Sequence, residues 1–132
     1  MSIEILVLLV LFQIKHLVAD YYLQFPYMYM NKGQETGWVK PLVDHAGVHA
    51  LFTMVIVALF MFNVNPEMST RSAFAIIGST MLFDFVTHFA TDRWKAKKKD
   101  GPDTSAFWYS LGIDQMVHHT VGVLIVFWIT QV

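Results

Sequence analysis

The sequence contains no cysteine. That absence removes disulfides, iron–sulfur clusters, thiolate zinc sites and cysteine nucleophiles from consideration. Charge is scarce as well: Asp, Glu, Lys and Arg make up 14% of the 132 residues, against roughly 25% in soluble domains. A formal net charge of −1 gives no global field for nucleic acid. The marks of a cleavable secretory signal are missing. Met-Ser-Ile-Glu puts an acid where the leading region wants Lys or Arg, and no small-x-small site follows the first apolar run, so that run is expected to stay as a membrane span. No repeat of solenoid period is present.

What the chain has instead is apolar length. It is 55% hydrophobic, with a mean hydropathy of +0.47. Four segments read as helices, at about residues 3–24, 38–62, 70–93 and 108–130. Each has the roughly 20 residues needed to cross about 30 Å of hydrocarbon. The expected fold is therefore all-α: an integral membrane four-helix bundle, up-down-up-down, forming a single transmembrane domain over residues 1–132. Residues 25–37, with Pro26, Gly33 and Gly37, read as a loop or interfacial turn, and Asn63–Ser69 as a tight link.

Into this apolar chain are set four Asp/His clusters that use all six histidines: His16–Asp20, Asp44–His45–His49, Asp84–His88–Asp92 and Asp114–His118–His119. In the first and third segments the cluster lies near the C-terminal end; in the second and fourth it lies near the N-terminal end. With alternating helix directions these ends share one side. At about 1.5 Å per residue the clusters form one layer roughly 5–16 Å inside the boundary. Lys15, Lys32, Lys40, Arg93, Lys95, Lys97, Lys98 and Lys99 crowd that end, and only Arg71 lies at the other. The positive-inside rule then turns the layer toward the cytoplasm of a bacterial inner membrane, with both termini outside. Tyr21, Tyr22, Tyr27, Tyr29, Trp38, Trp94, Trp108 and Tyr109 at the same end suit an interfacial aromatic belt.

Within the clusters the spacing is that of one helix face. His16/Asp20, His45/His49, Asp84/His88, His88/Asp92 and Asp114/His118 are all i, i+4 pairs. Gln13 and Gln24 extend the first stripe, and Thr80, Thr87 and Thr91 border the third. An Asp facing lipid at the helix centre costs about 2.5–3.5 kcal/mol even on a lenient insertion scale, so these stripes must face the bundle interior. A divalent cation resolves the burial of so many carboxylates, because carboxylate oxygen and neutral imidazole nitrogen ligate Zn²⁺, Fe²⁺ and Mn²⁺. The expected ligands are His16, Asp20, His45, His49, Asp84, His88, Asp92, Asp114 and His118, holding one or two ions, with zinc favoured and manganese or iron as alternatives. Asp44, about 100° round from His45, is the candidate general base or orienting carboxylate. His119, offset by the same angle from His118, is left unassigned. Ala46, Gly47 and Gly112 read as close-packing positions.

On the stretches KHLVADYYLQ, DHAGVHAL, DFVTHFATDRW and DQMVHH, the chain resembles an uncharacterised family of small bacterial and phage membrane proteins, a domain of unknown function. That resemblance implies no activity. In residue type alone the chain is also similar to inner-membrane proteins named as metal-dependent hydrolases, which implies a hydrolytic metal site.

The function expected is a membrane-embedded metal-dependent hydrolase acting on a lipid or membrane-associated phosphoester or ester. Its partners would be the bilayer and a lipid substrate, with a second copy or another membrane protein as further possibilities. Three alternatives stay open. A metal-stabilised structural adaptor is the simplest. A metal-ion or proton transporter is disfavoured by the apolar far halves of the segments. A di-iron oxidative enzyme is disfavoured because the spacing is four rather than three and Asp replaces Glu. Haem between facing histidines would leave the Asp surplus unexplained.

Overall fold

The leading apolar run winds into α1 (Ile3–Leu17), with Glu4 in its first turn at the end where the helix dipole favours an acid. The structure, a computed structural model, describes residues 2–132. After Leu17 the hydrogen bonding widens into a π-helical turn, Val18–Tyr22, closed by Leu23 N–H donating to Val18 O at 3.0 Å. Such widened turns re-aim side chains and recur at functional sites; this one carries Asp20. The first segment is thus α-helical for fifteen residues rather than to residue 24. At about 1.5 Å per residue, α1 alone falls short of the hydrocarbon thickness.

Residues 25–37 do not form a simple loop. Pro26, with its φ preset and no N–H to lose, opens a six-residue helix α2 (Pro26–Asn31) behind the extended Phe25. Gly37 then turns the chain at a φ of 72°, a conformation that favours glycine. Three longer helices follow: α3 (Val39–Val64), α4 (Thr70–Ala96) and α5 (Ser105–Ile129). Each is long and apolar enough to cross a membrane. Ser69 and Thr104 cap α4 and α5, accepting from the N–H groups of Ser72 and Phe107. The Thr104 cap explains why α5 begins three residues before the expected 108. No strand occurs among the described residues.

α3 packs along α4, α4 against α5, and α1 against both α5 and α3. The interior between them has two halves. One is dry, built from Leu8, Phe12, Val57, Met61, Ile77, Val121, Ile125 and Ile129 among others. Gly122 belongs there: a Cβ on it would lie 3.2 Å from the Phe12 ring, so this glycine lets α1 and α5 approach. Gly47 and Gly112, expected as close-packing positions, face open space instead. The other half of the interior holds the His/Asp residues. The outside is apolar, with Leu6, Val10, Leu59, Phe74, Leu82, Met116 and Phe127 all exposed. An apolar exterior around a partly polar interior is what a hydrocarbon solvent selects.

Candidate metal centre

All six histidine rings form one connected cluster. His49 and His88 stack at 3.8 Å between centroids, and His88 and His118 stack at 3.8 Å and 8°. His45 meets His49 edge-on at 4.8 Å. His16 lies 5.5 Å from His49 and 5.6 Å from His118. His119, which spacing left unassigned, approaches His16 at 4.7 Å. Close stacking of neutral imidazoles is favourable, whereas stacked imidazolium ions would repel.

Three groups have ligand atoms within 4.8 Å of one another: His16, His49 and His88; Asp20, His45 and His49; and Asp92, Asp114 and His118. In the second, Asp20 Oδ1 lies 3.0 Å from His49 Nε2 and 3.4 Å from His45 Nε2, while its Oδ2 lies 3.1 Å from His16 Nε2. In the third, His118 Nε2 stands 3.2 Å from Asp92 Oδ1 and 3.3 Å from Asp114 Oδ1. The second and third groups adjoin, since His45 Nε2 is also 3.2 Å from Asp92 Oδ2. Eight of the nine residues expected as ligands therefore meet in groups able to hold a metal ion. Several buried atoms there have no hydrogen-bond partner: Nδ1 of His45, His49 and His118, Nε2 of His88, and Oδ1 of Asp114. Each such atom costs roughly 1–3 kcal/mol if left unmet. The donor set of imidazole and carboxylate in these groups fits a divalent cation.

Asp84, the ninth expected ligand, belongs to none of the three groups. Its Oδ1 faces His88 Nδ1 at 3.1 Å, and its Oδ2 takes Lys15 Nζ at 2.5 Å and the Thr53 hydroxyl at 2.7 Å. A carboxylate on the far nitrogen of a ligating imidazole fixes its tautomer and aims its near nitrogen, which is the position Asp84 has toward His88.

Asp44 is also outside the groups. Pointing away from the layer, it accepts from the Tyr27 hydroxyl at 2.6 Å and pairs with Lys40. That hydrogen bond pushes the Tyr27 phenol above its ordinary range. The i, i+4 pairing with Lys40 and the reach of α2 decide the direction of this side chain. Asp44 is not poised against the centre as a base.

The lysines hold the largest departure from the sequence expectation, which used them only to orient the chain. Lys15 is 4% exposed and paired with Asp84. Lys32 reaches Asp92 at 3.0 Å and Lys95 reaches Asp114 at 2.9 Å. Among the described residues, Asp20 is the one carboxylate in the layer without a lysine or arginine at ion-pair distance. Arg93 is a clamp: it lies 3.9 Å over the Trp38 ring and donates to the carbonyls of Lys32 and Gln34, holding the loop after α2 against α4.

Two glutamines complete the layer, Gln24 as the first stripe predicts and Gln115 without any signal in the clusters. Gln115 bridges His16, at 2.9 Å, and Asp20, at 3.5 Å. Gln24 reaches His45 at 3.1 Å. Gln13, expected on the same stripe as His16, is exposed, because the buried face of α1 runs through Leu8, Phe12, Lys15 and His16. Lys15 could have been found from sequence: a lysine inside an apolar run needs a partner. Thr53 and Gln115 carried no such signal.

Comparison with curated proteins and with solved structures finds no match, and the similarity to metal-dependent hydrolases has no counterpart in these comparisons. A family described as protein of unknown function (DUF3307) matches residues 8–132. The chain, with its helices and its layer of histidine and aspartate, belongs to that family.

Proposed function

We propose that this protein is a multi-pass metalloprotein of the bacterial inner membrane whose His/Asp layer holds one or two divalent cations and hydrolyses a phosphoester or ester of a membrane lipid. The observation that carries the reading is the convergence of donors from α1 with its π turn, α3, α4 and α5 in one buried layer with orphaned imidazole nitrogens. An up-down-up-down bundle over the whole chain fits the ring of helix contacts. The lysine-rich end favours a layer facing the cytoplasm, with both termini outside. Zinc suits the mixed imidazole–carboxylate set best, and manganese or iron are the alternatives.

A bound cation would supply Lewis acidity at neutral pH. The chain's own residues do the rest. Asp84 orients His88. Asp20, held among His16, His45 and His49, can turn between cation ligand and proton acceptor. The dry half around Val57, Ile125 and Ile129 closes the layer from the far side, which supports an enzyme over an ion path.

A second reading has its own observation. Lys15, Lys32 and Lys95 already neutralise Asp84, Asp92 and Asp114, so the layer could act as a polar clamp between helices without catalysis. Metal analysis of protein purified in detergent without chelator separates the two. Near-stoichiometric zinc or manganese, lost in His49→Ala together with metal-dependent release of phosphate or fatty acid from a phospholipid panel, supports the hydrolase. Metal that is present without any such release favours the clamp. Protein free of metal under every loading condition overturns the metal centre.

A further inference from the structure

The loop after α2 and the turn after α4 border an open cleft of about 190 Å³ beside the His/Asp layer. Three lysines line it, Lys32, Lys95 and Lys98, with Tyr29, Ser110 and a single carboxylate, Asp100. Gly33 lets the two segments approach: a Cβ there would stand 2.6 Å from the Ala96 carbonyl oxygen. Phe107 and Ser110 of α5 form the facing wall.

Two of these lysines belong to the layer as well. Lys32 Nζ sits 3.0 Å from Asp92 Oδ2, and Lys95 Nζ sits 2.9 Å from Asp114 Oδ2. Asp92 and Asp114 are two of the three members of a group able to hold a cation, the third being His118. In that group His118 Nε2 faces Asp92 Oδ1 at 3.2 Å and Asp114 Oδ1 at 3.3 Å. Lys98 has no carboxylate at ion-pair distance among the described residues; its Nζ lies 5.4 Å from the Trp94 ring centroid.

We propose that the cleft binds a phosphate group, and that phosphate and a divalent cation bind together by exchanging ion pairs. Phosphate in the cleft draws Lys32 and Lys95 from Asp92 and Asp114; the freed carboxylates, with His118, take the cation. The cation half of this exchange rests on the metal centre proposed above. Phosphate alone strands the buried carboxylates Asp92 and Asp114, which is strongly unfavourable, and the cation alone leaves Lys32 and Lys95 crowded with Lys98 in the cleft. Both together leave every charge opposed, so each ligand raises the affinity for the other by the same factor. For a phospholipid substrate this would admit the metal to its third group when a headgroup is present.

The test reads Co²⁺ binding by its visible ligand-field bands, which report coordination by the protein rather than by lipid. The full chain is reconstituted in nanodiscs of phosphatidylcholine, of phosphatidylcholine with phosphatidic acid, and of phosphatidylcholine with added inorganic phosphate; empty discs of each composition are subtracted. The expected result is Co²⁺ half-saturation at a concentration at least about fivefold lower in the phosphatidic acid discs, the lower end of ordinary coupling between sites. The ratio should fall toward one in Lys98→Gln and in Asp114→Asn, with helical circular dichroism checking that each variant is folded. An equal effect from inorganic phosphate supports the exchange with free phosphate as the source; an effect confined to phosphatidic acid supports it with a lipid headgroup. Co²⁺ bands that appear at the same concentration in all three discs overturn the exchange and leave the metal centre standing. Bands absent from every disc overturn both.

Discussion

Removing the ammonium of Lys15 should expose how the layer is held together. Lys15 and Asp84 are 4% and 1% exposed and lie 2.5 Å apart, so neither charge has water to fall back on. In Lys15→Met the methylene packing largely survives while Asp84 keeps only Thr53, at 2.7 Å, and His88, at 3.1 Å. Breaking a buried pair from one side costs about 3–5 kcal/mol. The two remaining contacts place the expected loss near the lower end, about 3 kcal/mol, which agrees with the roughly 2.5–3.5 kcal/mol charged for a lone Asp in a membrane helix. Asp84→Asn should cost a similar amount, now by stranding the lysine, while Asn retains a partner for Thr53. The double variant removes both charges and should recover most of the loss, giving a coupling energy of about 2 kcal/mol or more. Reversible SDS unfolding in mixed micelles, followed by circular dichroism, measures all four corners of the cycle. Single costs that add to within about 0.5 kcal/mol would show that the two residues do not interact and would refute the buried pair.

Two further outcomes follow from the same geometry. Asp44→Asn should leave Co²⁺ or zinc binding unchanged, because Asp44 faces Tyr27 and Lys40 rather than the layer; lost metal would mean that the side chain turns inward in the membrane. Gly33→Ala should lower the thermal midpoint and open the loop after α2 to protease, since its methyl group meets the Ala96 carbonyl at 2.6 Å. An unchanged midpoint and digestion pattern would show that the loop does not hold this close approach.

The arrangement of ion pairs recasts the energetics of a polar layer in lipid. A cation is one way to bury carboxylates, and lysine is another. This chain uses lysine for Asp84, Asp92 and Asp114, and for Asp20 it uses imidazoles with the Gln115 amide.

Much of the site is legible in the residue pattern alone. Spacing of four residues on apolar helices is enough to predict which histidines and aspartates share a face, because the helix repeat is a local property. His16 with Asp20, His45 with His49, and Asp114 with His118 follow from it, whereas their meeting in one layer needs the helix directions as well. Helix starts at Ser69 and Thr104 are local too, being set by a single hydroxyl. Other features depend on what lies across the interior. The direction of Asp44 is decided by Tyr27 on α2, a helix that spacing did not reveal. The aim of Asp20 depends on a π turn that shifts every side chain after Leu17.

By itself, then, the sequence determined the ingredients: long apolar helices, no thiol chemistry, and a stock of imidazole and aspartate gathered at one end. Those are matters of composition and of period along one helix. Only the tertiary structure decided the partners. It sent Lys15, Lys32 and Lys95 inward to three carboxylates and stacked His49, His88 and His118 in a column. It also left Asp20 to the histidines. Which charge meets which depends on the rotation of each helix about its axis, and packing against neighbouring helices fixes that rotation.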